Sequence, residues 1–118
     1  MTETLEKQLA GFLGLCARAG QLTLGQDACV SAIRAGSSAL TLIDADASEN
    51  TRKRIADSCA SHGSPLYEAP AGMIAGAVGK SGRMTVVVKA GGMAQKLLSL
   101  LKDENPVQGA GAPENELR

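Results

Sequence analysis

The sequence predicts an α/β fold: a layered sandwich with a largely parallel sheet and helices on both faces. Two observations predict it. Stretches with helical apolar periodicity alternate with short apolar runs, in the order helix, strand, helix, strand, helix, strand, helix, strand, helix, and such alternation is how α/β sandwiches are built. The length of 118 residues fits one domain, large enough to bury a core without disulfide staples. There is no internal repeat.

Leu5, Leu9, Phe12 and Cys16 recur at helical spacing, so residues 4–18 form the first helix. Gly11 and Gly14 lower its propensity and, in a packed helix, allow a neighbour to approach closely. Gly20 ends it. Leu22-Thr-Leu24 is a short strand. Residues 27–35 form a second helix with Cys29, Val30 and Ile33 on its apolar side and Asp27, Ser31 and Arg34 on its polar side. The apolar run 39–43 is a buried strand. Ser48 caps a third helix, 49–61, with Ile55 and Cys59 inward and Arg52, Lys53 and Asp57 outward. Residues 65–67 form a third strand. Pro70 starts a fourth helix that runs to about Val78. Residues 84–88, ending in three valines, are the clearest strand, and Gly91-Gly92 precedes a last helix carrying Met93, Leu97, Leu98 and Leu101. The pattern stops after Lys102. The domain is therefore 1–102, and 103–118, with Pro106, Gly109, Gly111, Pro113 and four acidic side chains, is expected to be a disordered acidic tail.

The formal net charge is zero, yet it is unevenly distributed. Residues 1–102 hold 11 basic and 8 acidic side chains, a surplus of three positive charges. That balance permits phosphate binding without demanding it. Three scattered cysteines, Cys16, Cys29 and Cys59, make no disulfide framework, and an odd count fits a reducing compartment. No signal pattern opens the chain, and no apolar run approaches the ~20 residues of a spanning helix. A cytoplasmic location without membrane contact follows by elimination. Phe12 and Tyr67 are the only aromatic residues, and the core accounts for both. Single-strand binders stack bases on aromatic rings, so any RNA partner should be structured.

Several motifs carry chemistry only superficially. Gly79-Lys80-Ser81 imitates the end of a phosphate-binding loop, but the required earlier glycine falls on Ile74, and the loop leaves a helix to enter a strand. What remains is a short basic loop, 79–83, either a solvated turn or a contact for an RNA backbone. Cys59-Ala-Ser-His62 has no second ligand cluster, so no metal is expected. Asp44-Ala45-Asp46 reads as a polar turn leading to the Ser48 cap rather than a magnesium or catalytic site. His62 is the only histidine, and no acid/base set is paired by spacing. At Gly25-Gln26-Asp27-Ala28 a glycine opens a helix, exposing N–H groups and the positive dipole end to an anion. Spacing alone favours an ordinary N-terminus with Asp27 complementing the dipole.

Four stretches carry a resemblance: Arg18-Ala-Gly20-Gln-Leu-Thr-Leu-Gly25, Asp46-Ala-Ser48-Glu-Asn50-Thr-Arg-Lys53, Ile74-Ala-Gly-Ala-Val-Gly79-Lys80 and the valine-rich last strand. Over roughly residues 5–102 the chain resembles bacterial YlxQ-type proteins of the kink-turn-binding ribosomal-protein superfamily. The resemblance implies a three-layer α/β/α sandwich of about five helices around a four-stranded mixed sheet, so not every strand would be parallel. It also implies a monomer that binds structured RNA, kink-turn-like or ribosomal, with no catalytic role and no cofactor, and that associates with the ribosome or translation factors. The family's RNA site is a glycine, a small residue, asparagine and glutamate, with a lysine three positions after the glutamate. These fall here on Gly25, Gln26, Asp27, Ala28 and Ser31, and only the glycine is kept. Asp27 accepts but cannot donate, Ala28 has no acceptor, and Ser31 lacks the lysine's charge. The apolar loop that archaeal-type members carry before the last strand is replaced here by Lys80-Ser81-Gly82-Arg83, by resemblance the more YlxQ-like arrangement. The expected RNA face is thus Gly25, Gln26, Asp27, Ala28 and Ser31 with Arg18, Arg34, Lys80, Ser81 and Arg83; Lys53 is a weaker candidate. The alternative is a protein-interaction module of the same fold that has lost RNA specificity. An enzyme acting on RNA is disfavoured by the missing acid/base set.

Overall fold

The computed structural model describes residues 1–107. Nine elements follow in the expected order: α1 (Glu3–Arg18), β1 (Leu22–Leu24), α2 (Gln26–Arg34), β2 (Leu40–Asp44), α3 (Glu49–His62), β3 (Leu66–Ala69), α4 (Met73–Val78), β4 (Thr85–Val88) and α5 (Gly92–Leu100). The strands form one sheet in the order β1-β4-β2-β3. β2 and β3 pair in parallel, while β4 is antiparallel to both of its neighbours. So β1, β2 and β3 point one way and β4 alone is reversed.

The largely parallel sheet inferred from alternation is corrected at this one strand, and the mixed sheet is what forms. Connection length is the physical reason. A parallel return needs a crossover long enough to carry the chain back along the sheet. The 14 residues of α3 span about 21 Å and do so. The six residues of α4 span about 9 Å, too short, so β4 starts at the sheet end where β3 stopped.

Side-chain alternation in the central strands makes the layers. Leu40, Leu42, Val86 and Val88 face Leu9, Leu13 and Cys16 of α1, Ile74 of α4 and Leu97 of α5. Ile43 and Val87 face the opposite way, toward Cys29, Val30 and Ile33 of α2 and Ile55 and Cys59 of α3. Every residue of β2 and β4 is buried, as expected for strands covered on both faces. Buried Thr41 is satisfied by a hydroxyl cluster with Ser38 and Ser64, at 3.1 and 3.0 Å.

Several local expectations shift. Pro70 does not start α4. Pro70, Ala71 and Gly72 form a turn, closed by Met73 N–H donating to the Pro70 carbonyl at 3.1 Å, and the helix begins at Met73. Asp44 is not in a polar turn either: it ends β2 and is 1% exposed. Its carboxylate accepts from the Asp46 N–H at 2.7 Å and from the Gly72 N–H at 2.8 Å, tying the end of β2 to the start of α4. Residues 103–107, read as the start of the tail, lie on the body. Val107 packs against the α2–α3 core, and its N–H donates to the Leu66 carbonyl at 2.7 Å, along the outer edge of β3. The rest of the expected acidic tail, 108–118, lies outside the described residues.

All three cysteines are free and buried. Burial pushes each thiol up from its ordinary range, Cys29 to about 12, because a thiolate is poorly solvated in an apolar core. They are packing residues. Cys59 belongs to the core and His62 is exposed at the end of α3, its Nδ1 3.1 Å from the Ser58 carbonyl. Among the described residues no cluster of ligating side chains is placed to hold a metal, and no helix is long and apolar enough to cross a membrane.

Of the two glycines in α1, one is a packing residue. A Cβ at Gly14 would sit 3.3 Å from the Ala77 carbonyl oxygen of α4, whereas Gly11 faces open space. Gly14→Val is expected to destabilise the fold by about 1–3 kcal/mol through overpacking. Gly11→Ala should instead stabilise it by about 0.5–1 kcal/mol through helix propensity. Urea denaturation of both variants checks the contrast.

Candidate nucleic-acid interface

The strand directions gather three helix starts at one end of the sheet. Leu24 pairs with Val86, Ile43 with Thr85 and Asp44 with Ala69. The carboxyl ends of β1, β2 and β3 therefore lie beside the amino end of β4. α2, α3 and α4 all begin here; α3 is capped by the Ser48 side chain, whereas α2 and α4 have no side-chain cap on their first-turn N–H groups.

Gly25 occupies the corner. Its φ of 94° and ψ of 145° suit glycine alone, and no side-chain hydrogen bond caps α2. Directly above it lies Arg83: a Cβ on Gly25 would sit 3.3 Å from Arg83 Nη1. The reversed β4 thus brings the loop 79–83 onto the start of α2, joining two segments separated by more than fifty residues of chain. The Arg83 Nε is buried and has no hydrogen-bond partner. Among the described residues Arg83 makes no ion pair, and neither do Arg18, Arg34 or Lys80. Lys80 and Ser81 are exposed beside it.

The other expected residues divide by position. Ala28 and Ser31 are exposed along α2. Arg34 stands in the last turn of α2, about 12 Å along the axis from Gln26 and so apart from the corner. Arg18 leans back along α1, as helical side chains do. Its Nη1 lies 3.7 Å from the point where a Gly14 Cβ would sit, the point that is 3.3 Å from the Ala77 oxygen. Arg18 therefore stands at the carboxyl end of α4, at the root of the loop 79–83. Lys53 is exposed and pairs with Asp57 at 3.4 Å.

Gln26 and Asp27 are held by partners that sequence reasoning did not identify. Arg54 Nη1 donates to Asp27 Oδ1 at 2.7 Å. Ser48 Oγ donates to Thr51 Oγ1 at 3.0 Å, and Thr51 Oγ1 donates to Gln26 Oε1 at 2.9 Å. Ser48, Thr51 and Arg54 are spaced three apart, on one face of α3. Their spacing was visible in the sequence, but only the packing of α3 beside α2 shows what that face meets.

The arrangement can hold an anion. It offers free backbone donors, an unpartnered guanidinium and an exposed ammonium. A separate cavity of about 360 Å³ lies at the β3 edge and has an acidic lining that includes Glu6, Glu68 and Glu104, unsuited to phosphate.

No family model matches the chain. The RNA-binding protein YlxQ of Bacillus subtilis (strain 168) is 37% identical over 91 residues, covering 76% of this chain and 91% of the relative. The RNA-binding protein YlxQ of Enterococcus faecium is 31% identical over 68 residues, covering 58% and 66%. Among solved structures, a Bacillus halodurans C protein of unknown function superposes with a TM-score of 0.75 at 33% identity, over 80% of this chain and 97% of that one. The Giardia lamblia 15.5kD RNA binding protein superposes with a TM-score of 0.71 at 15% identity, over 87% and 89%; at that identity the likeness is one of fold.

Gly25→Ala tests the corner itself. The new side chain meets both a disfavoured backbone conformation and the Arg83 guanidinium. The expected result is a loss of about 1–3 kcal/mol in stability, measured by urea denaturation.

Proposed function

This chain belongs to the YlxQ family, and from that premise we propose that it binds structured RNA without catalysing a reaction on it, through the amino end of α2 and the loop 79–83. The relatives' name, RNA-binding protein YlxQ, supports the ligand class. One observation carries the choice of surface. Arg83 lies across Gly25 at the positive end of α2, with a buried, unpartnered Nε. A cation at a helix amino end is unfavourable by about 0.3–1 kcal/mol. A phosphate oxygen placed there reverses the sign of that interaction and accepts from the Arg83 guanidinium and the first-turn N–H groups together.

Each residue then has a role. Gly25 lets the RNA backbone approach. Arg83, Lys80 and Ser81 take phosphate, and Arg18 neutralises charge at the root of the same loop. Gln26, Asp27, Ala28 and Ser31 face the groove, and Arg34 meets backbone farther along α2. The scarcity of aromatic side chains favours a folded partner, ribosomal or another stable RNA of the cytoplasm. With no asparagine, glutamate or lysine at the family's reading positions, this corner is built more for shape and phosphate than for base edges.

The test is a titration of the protein and of Lys80→Ala/Arg83→Ala against a kink-turn duplex and a matched duplex lacking the tandem G·A pairs, at two salt concentrations. The wild type is expected to bind in a salt-sensitive way. The double variant should bind more weakly, its log–log salt slope reduced by about 1–2. Unchanged affinity and slope would remove the loop from the site. No binding of either duplex would overturn the RNA reading in favour of a protein-interaction module of the same fold.

A further inference from the structure

We infer that Arg54 of α3 determines RNA affinity by neutralising Asp27, so that an acidic residue can stand at the amino end of α2 without repelling the phosphate backbone. The inference rests on the RNA-binding reading above and extends the surface onto a third element, α3.

Asp27 is the only acidic residue in the first turn of α2. It is exposed, two residues from Gly25, the corner that Arg83 covers. Left alone, its carboxylate would compete with phosphate for the same helix end and the same cations. Arg54 Nη1 reaches it from the neighbouring helix at 2.7 Å. The pair is not there for the fold. Arg54 is 49% and Asp27 88% exposed at the side chain, and ion pairs so open to water contribute about 0–1 kcal/mol to stability. Their effect falls instead on what approaches from solvent. The pair turns a local charge of −1 into zero and leaves Arg54 with further N–H donors beside the site.

The same helix face fixes Gln26. The donor chain from Ser48 through Thr51 ends on Gln26 Oε1. The carboxamide oxygen is thus occupied and its NH2 group is the half that remains to donate. With Asp27 neutralised, the first turn of α2 meets RNA mainly as donors. That suits phosphate oxygens and acceptor edges of purines.

A double-mutant cycle tests this: wild type, Asp27→Asn, Arg54→Ala and Asp27→Asn/Arg54→Ala, titrated against the kink-turn duplex at low and moderate salt, with thermal melting of each protein. Arg54→Ala should weaken binding about tenfold at low salt, and Asp27→Asn should raise affinity several-fold more in the Arg54→Ala background than in the wild type. Adding Asp27→Asn to Arg54→Ala should recover most of the loss, to within about threefold of wild type. All four melting curves should nearly coincide. Wild-type affinity in Arg54→Ala, or an Asp27→Asn effect of equal size in both backgrounds, would overturn the inference while leaving RNA binding intact. A wild-type protein that binds neither this duplex nor the matched one would remove the underlying reading and the inference with it.

Discussion

The reversed insertion of β4 between β1 and β2 is the constraint on which the candidate site depends. Because α4 is short, the chain re-enters the sheet at the end where β1, β2 and β3 finish. The residue that leads into that strand, Arg83, consequently lands on the glycine that leads out of β1. Had β4 run parallel to its neighbours, the loop 79–83 would connect at the opposite end of the sheet, and the basic loop and the α2 amino end would be separate features. The buried Asp44 carboxylate reinforces the arrangement by holding the start of α4 to the end of β2.

Around that contact the charges sort into two kinds. Arg52, Lys53 and Arg54 on α3 all have carboxylate partners, Glu68, Asp57 and Asp27. Arg18, Lys80 and Arg83 have none among the described residues; Arg83 lies at the corner, Lys80 is exposed on the same loop, and Arg18 stands near Ala77 of α4. A surplus of only three positive charges in residues 1–102 is enough when an unpaired guanidinium lies where a helix dipole adds to it. A protein with zero formal net charge can in this way present a local anion site.

Much of the fold was legible because periodicity reports burial directly. The continuous apolar runs of β2 and β4 are strands covered on both faces, and the Ser48 cap and the three-residue β1 lie where the spacing puts them. Strand direction was not legible from alternation, since direction is set by connection length against sheet length and not by side-chain pattern. The start of α4 was misread because Pro70 suits a first helical position as well as a turn, and the deciding contact, Asp44 with the Gly72 N–H, joins residues 28 apart. At the site, the glycine and the cations could be picked out by residue type. The partners of Gln26 and Asp27 could not, because Thr51 and Arg54 meet them across a helix–helix contact that leaves no mark on either local pattern.

The most direct measurement is an NMR titration of 15N-labelled protein with the kink-turn duplex, following backbone amides together with the arginine Nε–H signals. Binding at the corner predicts that the Arg83 Nε–H and the amides of Gln26, Asp27 and Ala28 shift or broaden first, with Lys80 and Ser81 following. Undisturbed signals there, with changes confined to the acidic cavity at the β3 edge or absent altogether, would contradict the account.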